Sequence, residues 1–311
     1  KMDEFLFISS GLTSYQGFND KLKQHKKSLL DLKGNISNIT PFSHNMNKLL
    51  QIGSTMQIFY VLHINEDYHD AMQFSMSFIG YIDNISSIHQ LHKSKKINAC
   101  AFGKKTTKFK GAYYPLVAGK PIKNTYSLKK QIVVTGPNAA GKTTLLKTTT
   151  INIILSQQLG FGFYNSCTIS PYSYIHCYLN IPDTSGRDSL FQAEARRCKE
   201  ILDKIMESDK NESHFCIFDE LYSGTNPYEA VASSYSFLDF LTKQKNTTFM
   251  LTTHFIDLCE KLEKNYSIKN CHMEIETHNN DLKYKYKILP GISNIKGGIK
   301  ILENLDYPEY I

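Results

Sequence analysis

The chain has 311 residues, 41% of them apolar, enough for one large domain or two ordinary ones around a buried core. Net charge is +7, no apolar run approaches the roughly 18 residues of a membrane helix, and Lys1-Met2-Asp3-Glu4 is no signal peptide, so a membrane partner is excluded and an intracellular protein of cytoplasm or nucleus is expected. Seven scattered cysteines, odd in number and never Cys-x-x-Cys, support neither a disulfide framework nor a zinc ribbon, and fit a reducing compartment.

In chain order, Lys1 in place of a starting Met reads as the mark of a longer chain, and residues 1–40 carry no pattern that assigns them. From 45 to 65 apolar residues fall at Met46, Leu49, Leu50, Met56, Phe59 and Leu62. From 66 to 93 they fall at Tyr68, Ala71, Met72, Phe78, Ile79, Ile82, Ile85 and Leu91. Both spacings predict long amphipathic helices. Composition shifts near Lys95-Lys96, and Gly103, Gly111, Pro115, Gly119 and Pro121 punctuate short strand-like stretches, which predicts a helical segment at 1–97 and a second domain at 98–311. Residues 1–125 hold 16 Lys against 8 acids, whereas 126–311 hold 20 Lys plus Arg against 21 acids. A basic front half suits a polyanion such as DNA, contacted through its phosphates, or simply a solvated lysine surface.

The β-branched run Gln131-Ile132-Val133-Val134-Thr135 predicts a strand, and residues 142–159 can run as a helix. Between them Gly136-Pro137-Asn138-Ala139-Ala140-Gly141-Lys142-Thr143, continued by Thr144, spells a complete phosphate-binding loop in the strand, loop, helix context it needs. Its backbone N–H groups and the positive helix end would surround a β-phosphate. Lys142 would reach the β- and γ-phosphates and the Thr143 hydroxyl would hold Mg²⁺, so ATP and Mg²⁺ are the expected ligands.

Beyond the loop, strand-like runs at 175–181, 215–219 and 247–252 alternate with helical stretches at 189–208 and 228–243, the pattern of an α/β layer architecture. Asp183-Thr184-Ser185-Gly186-Arg187-Asp188-Ser189 leads into the first of these helices, where Ser189 and Gln192 form a capping box. A capped helix end also presents N–H groups to an anion, including one bound by a second copy. The three arginines, Arg187, Arg196 and Arg197, all lie in this segment, and Arg187 is placed either for a role across a dimer interface or for a plain ion pair. Phe215-Cys216-Ile217-Phe218-Asp219-Glu220 is an apolar strand ending in two carboxylates: Asp219 would hold Mg²⁺, and Glu220 would act as base toward the water attacking the γ-phosphate. Ser223-Gly224-Thr225 then leads to Asn226 as helix cap, with Pro227 at the first helical position. His254, after the strand Thr247-Thr248-Phe249-Met250-Leu251-Thr252-Thr253, could donate to the γ-phosphate or orient the water.

Taken together, the loop at 136–144, Ser185-Gly186-Arg187, Asp219-Glu220, Ser223-Gly224-Thr225 and Thr252-Thr253-His254 closely resemble, in order and spacing, the ATPase domain of the MutS family of DNA mismatch-repair proteins. The Gly-Pro-Asn opening of the loop is typical of that family, and Leu289-Pro290-Gly291-Ile292-Ser293 with Gly297-Gly298-Ile299 is similar to its C-terminal segment. The resemblance runs from about residue 98 to the end, and the two long helices before it are similar to the levers joining ATPase to DNA clamp. The Asn226-Pro227-Tyr228-Glu229 turn looks closer to divergent MutS-like proteins, including those of large DNA viruses.

The resemblance implies an ABC-class P-loop NTPase with a mixed, mostly parallel sheet, preceded by an α-helical lever and clamp segment. It also implies a homodimer or related heterodimer with composite ATP sites, in which hydrolysis drives movement of a clamp on duplex DNA, gripped by the helical part and by N-terminal domains outside these residues. By position, the resemblance implies that Ser189 would be the serine that touches the partner's γ-phosphate. The family commonly reads Ser-Gly-Arg-Ser-Thr-Phe, and here Asp188 adds a residue, so Ser185 competes for the role; Ser189 is favoured because it starts the helix. The aromatic that usually packs on adenine just before the loop has no counterpart at 121–124, and Tyr286 is the ring that could replace it. Rival readings are another ABC-class machine, a transporter or chromosome-structure motor, which lacks its Leu-Ser-Gly-Gly signature here, or an ATP-binding scaffold without turnover, against which Glu220 argues. No mismatch-reading domain lies in these residues.

Overall fold

The computed structural model describes residues 1–37, 39, 46–104, 106–129, 131–179, 189–264, 268–278, 281–293 and 295. Contacts divide the chain into two units, Lys1–Gln90 and Leu91–Ile311.

The first unit is helical: α1 (Met2–Ser9), a single 3-10 turn at Thr13–Tyr15, α2 (Gln16–Ser37), α3 (Met46–Ile64) and α4 (Glu66–Lys93), whose last residues count with the second unit. The helices α3 and α4 match the periodicity of the sequence. Two more, α1 and α2, stand where the sequence carries no assignable pattern, because α1 has only two turns and lysines interrupt the apolar stripe of α2. Aromatic rings tie them to α4: Phe5 meets Phe18 and Phe78 edge-on at 5.6 and 5.5 Å, and the Tyr15 and Tyr81 hydroxyls share a hydrogen bond of 2.6 Å. Edge-to-face packing suits the ring quadrupoles.

The second unit runs β1 (Asn98–Phe102), β2 (Lys108–Ala112), β3 (Asn124–Ser127), β4 (Gln131–Thr135), α5 (Lys142–Leu159), β5 (Phe161–Gly162), β6 (Ser166–Ile169), β7 (Tyr174–Tyr178), α6 (Leu190–Glu207), β8 (His214–Asp219), α7 (Pro227–Lys243), β9 (Thr247–Thr253), α8 (Ile256–Glu263), β10 (Ile268–His278) and β11 (Asp281–Pro290). It is an α/β fold with two sheets. The larger has the order β11-β10-β4-β9-β8-β7, parallel throughout except for β11, which returns antiparallel along β10. The smaller, β3-β2-β6-β1-β5, is mostly antiparallel, with β1 and β6 parallel.

Every residue of β4 is buried, and so are all but the last of β8, as expected of central parallel strands covered on both faces. The pleat sorts their side chains. Cys216 and Phe218 join the core under α6, α7 and α8, while Phe215 and Ile217 join the core around α5. This alternation is what a period of two dictates, and it leaves the carboxyl ends of β4, β9 and β8 side by side at one edge, the place where open α/β sheets bind ligands. Among the described residues no helix is long and apolar enough to cross a membrane, and all seven cysteines are free thiols.

Candidate nucleotide site

Strand register assembles the site. Thr252 of β9 pairs with Asp219 of β8 on one side and Val134 of β4 on the other, which brings the loop after β4 beside the strand-end acid. The loop then turns with φ of +146° at Gly136, +63° at Ala139 and +92° at Gly141. Left-handed residues alternating with right-handed ones point successive N–H groups to one side, the geometry of an anion nest. Gly141 is also confined: a Cβ there would lie 3.0 Å from the Tyr286 ring.

Lys142, only 5% exposed, donates from Nζ to Gly136 O at 2.8 Å and Pro137 O at 3.2 Å, and lies 3.6 Å from Glu220 Oε1. Thr143 Oγ1 donates to Asp219 Oδ2 at 2.8 Å, and Thr252 Oγ1 donates to Asp219 Oδ1. A hydroxyl and a carboxylate of this kind are the hard oxygen donors that Mg²⁺ takes, so Thr143 and Asp219 fit that ion. Among the described residues no cluster of three or more His, Cys, Asp and Glu side chains is gathered for a metal.

Glu220 stands in the left-handed region (φ +54°), fixed by its N–H bond to Thr252 O at 3.1 Å. Its Oε1 lies 3.7 Å from His254 Nδ1 as well as near Lys142. The contact with His254 is the leading cause that holds the Glu220 carboxyl below its ordinary pKa, and Lys142 adds to it, against burial, which pushes the other way. A carboxylate kept ionised in this way has the charge state that a general base needs near neutral pH. His254 itself is half exposed, its ring against Phe255.

Next to the loop is a cavity of about 570 Å³, walled by Gly141, Thr144, Tyr286 and Tyr284 and, from the segment before β3, by Pro121 and Ile122. Its size and apolar walls suit a purine base. Tyr286 has φ +56°, and the buried Asn124 clips it in place: Asn124 Nδ2 donates to Tyr286 O at 2.9 Å, and Ile288 N donates to Asn124 Oδ1 at 2.9 Å. Leu289-Pro290-Gly291-Ile292-Ser293 leaves β11 and returns to β4, where Ser293 N donates to Thr135 Oγ1 at 2.8 Å.

The structure thus brings together Lys142, Thr143, Asp219, Glu220 and His254, and separately Gly141, Thr144 and Tyr286. Ser189 is the cap of α6, with both bonds of its capping box to Gln192 made, and these described bonds do not link it to the loop or the acids. Ser185, Gly186, Arg187 and Gly297-Gly298-Ile299 lie outside the described residues. Sequence reasoning missed Thr252 as partner of Asp219, Asn124 as clip of Tyr286, and the wall at Pro121 and Ile122; a polar residue inside a strand end was the available signal for the first two.

The sequence profile of MutS domain V matches residues 132–311. An endonuclease MutS2 of Staphylococcus haemolyticus is 28% identical over 242 residues, which is 76% of this chain and 30% of that protein. An endonuclease MutS2 of Clostridium novyi is 29% identical over 205 residues, 64% of this chain and 25% of its own length. The DNA mismatch repair protein spellchecker 1 of Drosophila melanogaster is 24% identical over 196 residues, 61% of this chain and 21% of its own. The chain therefore spans less than a third of these curated relatives.

Proposed function

The chain belongs to the MutS family, and from that premise we propose that it is a Mg²⁺-dependent ATPase that works as a dimer on DNA, turning hydrolysis into movement of DNA-gripping helices. The observation that carries the reading is the convergence of Thr143 on Asp219 and of Lys142 and His254 on Glu220, at the end of the loop. The loop N–H groups and Lys142 bind and orient the phosphates of ATP. Thr143 and Asp219 would hold Mg²⁺, which when bound would supply neutralising charge to those phosphates. Glu220 takes a proton from water as the water oxygen attacks the γ-phosphorus; the bond from that phosphorus to the bridging oxygen breaks, and ADP and phosphate leave. Positioned general bases contribute about 10²- to 10⁴-fold in rate.

The cavity beside Tyr286 receives the base. Support for a DNA partner comes from the excess of lysine in residues 1–125 and for a second copy from the exposed, capped end of α6 at Ser189. The decisive experiment is steady-state ATP hydrolysis by the parent and Lys142→Ala chains. Removing the ammonium is expected to cost about 10²-fold or more. A variant with parental turnover would overturn the reading.

A further inference from the structure

Glu194 belongs to α6, is only 2% exposed, and has both carboxylate oxygens engaged. Its Oε1 accepts from Ser223 N at 3.1 Å and Ser223 Oγ at 2.9 Å, and its Oε2 accepts from Gly224 N at 3.1 Å. Burying a carboxylate is costly unless donors meet it. Here all three donors come from one turn, the turn that directly follows Glu220.

That turn is strained. Glu220 and Tyr222 have φ of +54° and +55°, a region that residues with a Cβ seldom enter and that persists only where the surroundings impose it. Tyr222 N also donates to Tyr178 OH, at 3.4 Å, and the Tyr222 ring packs on Phe191 of α6. Gly224 closes against the start of α6 with no room to spare, since a Cβ would lie 2.7 Å from Phe191 N and 2.9 Å from Leu190 Cβ. Turn and helix start are one body, joined at Glu194 and Gly224.

We propose that Glu194 is a positioning residue for ATP hydrolysis: it holds the turn that aims the Glu220 carboxylate and yokes that turn to the helix whose capped end carries Ser189. This rests on the reading of Glu220 as the base. In a dimer of such chains, the same link would pass a shift at α6 to the base of its own subunit.

Glu194→Gln is the sharpest test, because it keeps the volume but can set an NH₂ group against the Gly224 N–H. The parent, Glu194→Gln, Ser223→Ala and Lys142→Ala chains are compared for kcat, for affinity toward a non-hydrolysable ATP analogue, and for unfolding midpoint. Glu194→Gln is expected to lose about 10-fold or more in kcat while binding the analogue within about 3-fold of the parent, the split that marks lost transition-state positioning. Ser223→Ala should lose less, in the same direction, and carries the test if the first variant does not fold. A kcat within about 2-fold of the parent, or equal losses in kcat and analogue affinity, would overturn the proposal and leave the ATPase reading standing. A parent chain without turnover would instead remove the ATPase reading and this inference with it.

Discussion

At the residue scale, Glu220 is where position and protonation meet. As the proposed base it would act only when ionised, so activity is expected to fall as pH drops through its pKa, which is held below its ordinary value. The first cause is His254. Replacing His254 by Ala removes that cause, lets burial act with less opposition, and should move the acid limb of the kcat profile to higher pH. Profiles of kcat against pH for the parent and His254→Ala chains check this, and coincident limbs would show that His254 does not set the Glu220 charge. Which residues could do this chemistry was legible in the sequence, since Lys142, Asp219, Glu220 and His254 each sit at a strand or loop end. Thr252 was not, because its contact with Asp219 follows from β8–β9 register and not from any local pattern.

At the element scale, β7 and β8 share a buried histidine pair far along the strands from the acids. His176 Nε2 and His214 Nδ1 are 3.0 Å apart, His214 Nε2 is 2.7 Å from Ser208 Oγ, and the Tyr174 ring stacks on both imidazoles. Ser208 Oγ donates to Ile205 O, so it accepts from His214 Nε2, whose Nδ1 in turn accepts from His176 Nε2; the His214 ring is then neutral. Burial, then His214, Arg197 and Lys204, bring His176 down to about 4, and burial lowers His214 as well. Folded values below the unfolded value of about 6.5 mean that the unfolded chain binds more protons in this window. The stability contributed by His176 is therefore complete above about pH 6.5 and lost as pH falls toward 4, by at most about 1.4 kcal/mol per pH unit, and the lowered His214 acts in the same direction. Urea midpoints at pH 7.5, 6 and 5 should fall in that order, and His176→Phe should flatten the trend. A parent midpoint independent of pH would refute it.

The same scale shows which elements sequence periodicity reveals. Long, strongly patterned helices such as α3 and α4, and apolar central strands such as β4 and β8, agree with expectation to within a residue or two. The hairpin β10–β11 was not anticipated: it closes one edge of the sheet, and its alternation of lysines and tyrosines in β11 reflects an edge strand half open to solvent.

At the scale of the whole molecule, the proposed composite ATP sites would require a second copy. Light scattering of the parent chain with ATP and Mg²⁺ is expected to give twice the mass found without nucleotide, and Lys142→Ala, deprived of its phosphate contact, should stay at the smaller mass. An unchanged parent mass would count against shared sites while leaving the loop chemistry untouched.

The sequence by itself determined the family and the loop pattern on which the proposed phosphate chemistry rests, because strand, loop and helix are local: the loop residues, Lys142 and Thr143 follow one another along the chain and need no distant partner to be recognised. Only the tertiary structure decided how that chemistry is held. Asp219 meets Thr252 across 33 positions, Glu194 meets the Ser223 turn across 29, and Asn124 clips Tyr286 across 162. Such pairs arise from strand register and helix packing, which depend on the summed burial of whole elements and leave no signature in the spacing of the residues they join.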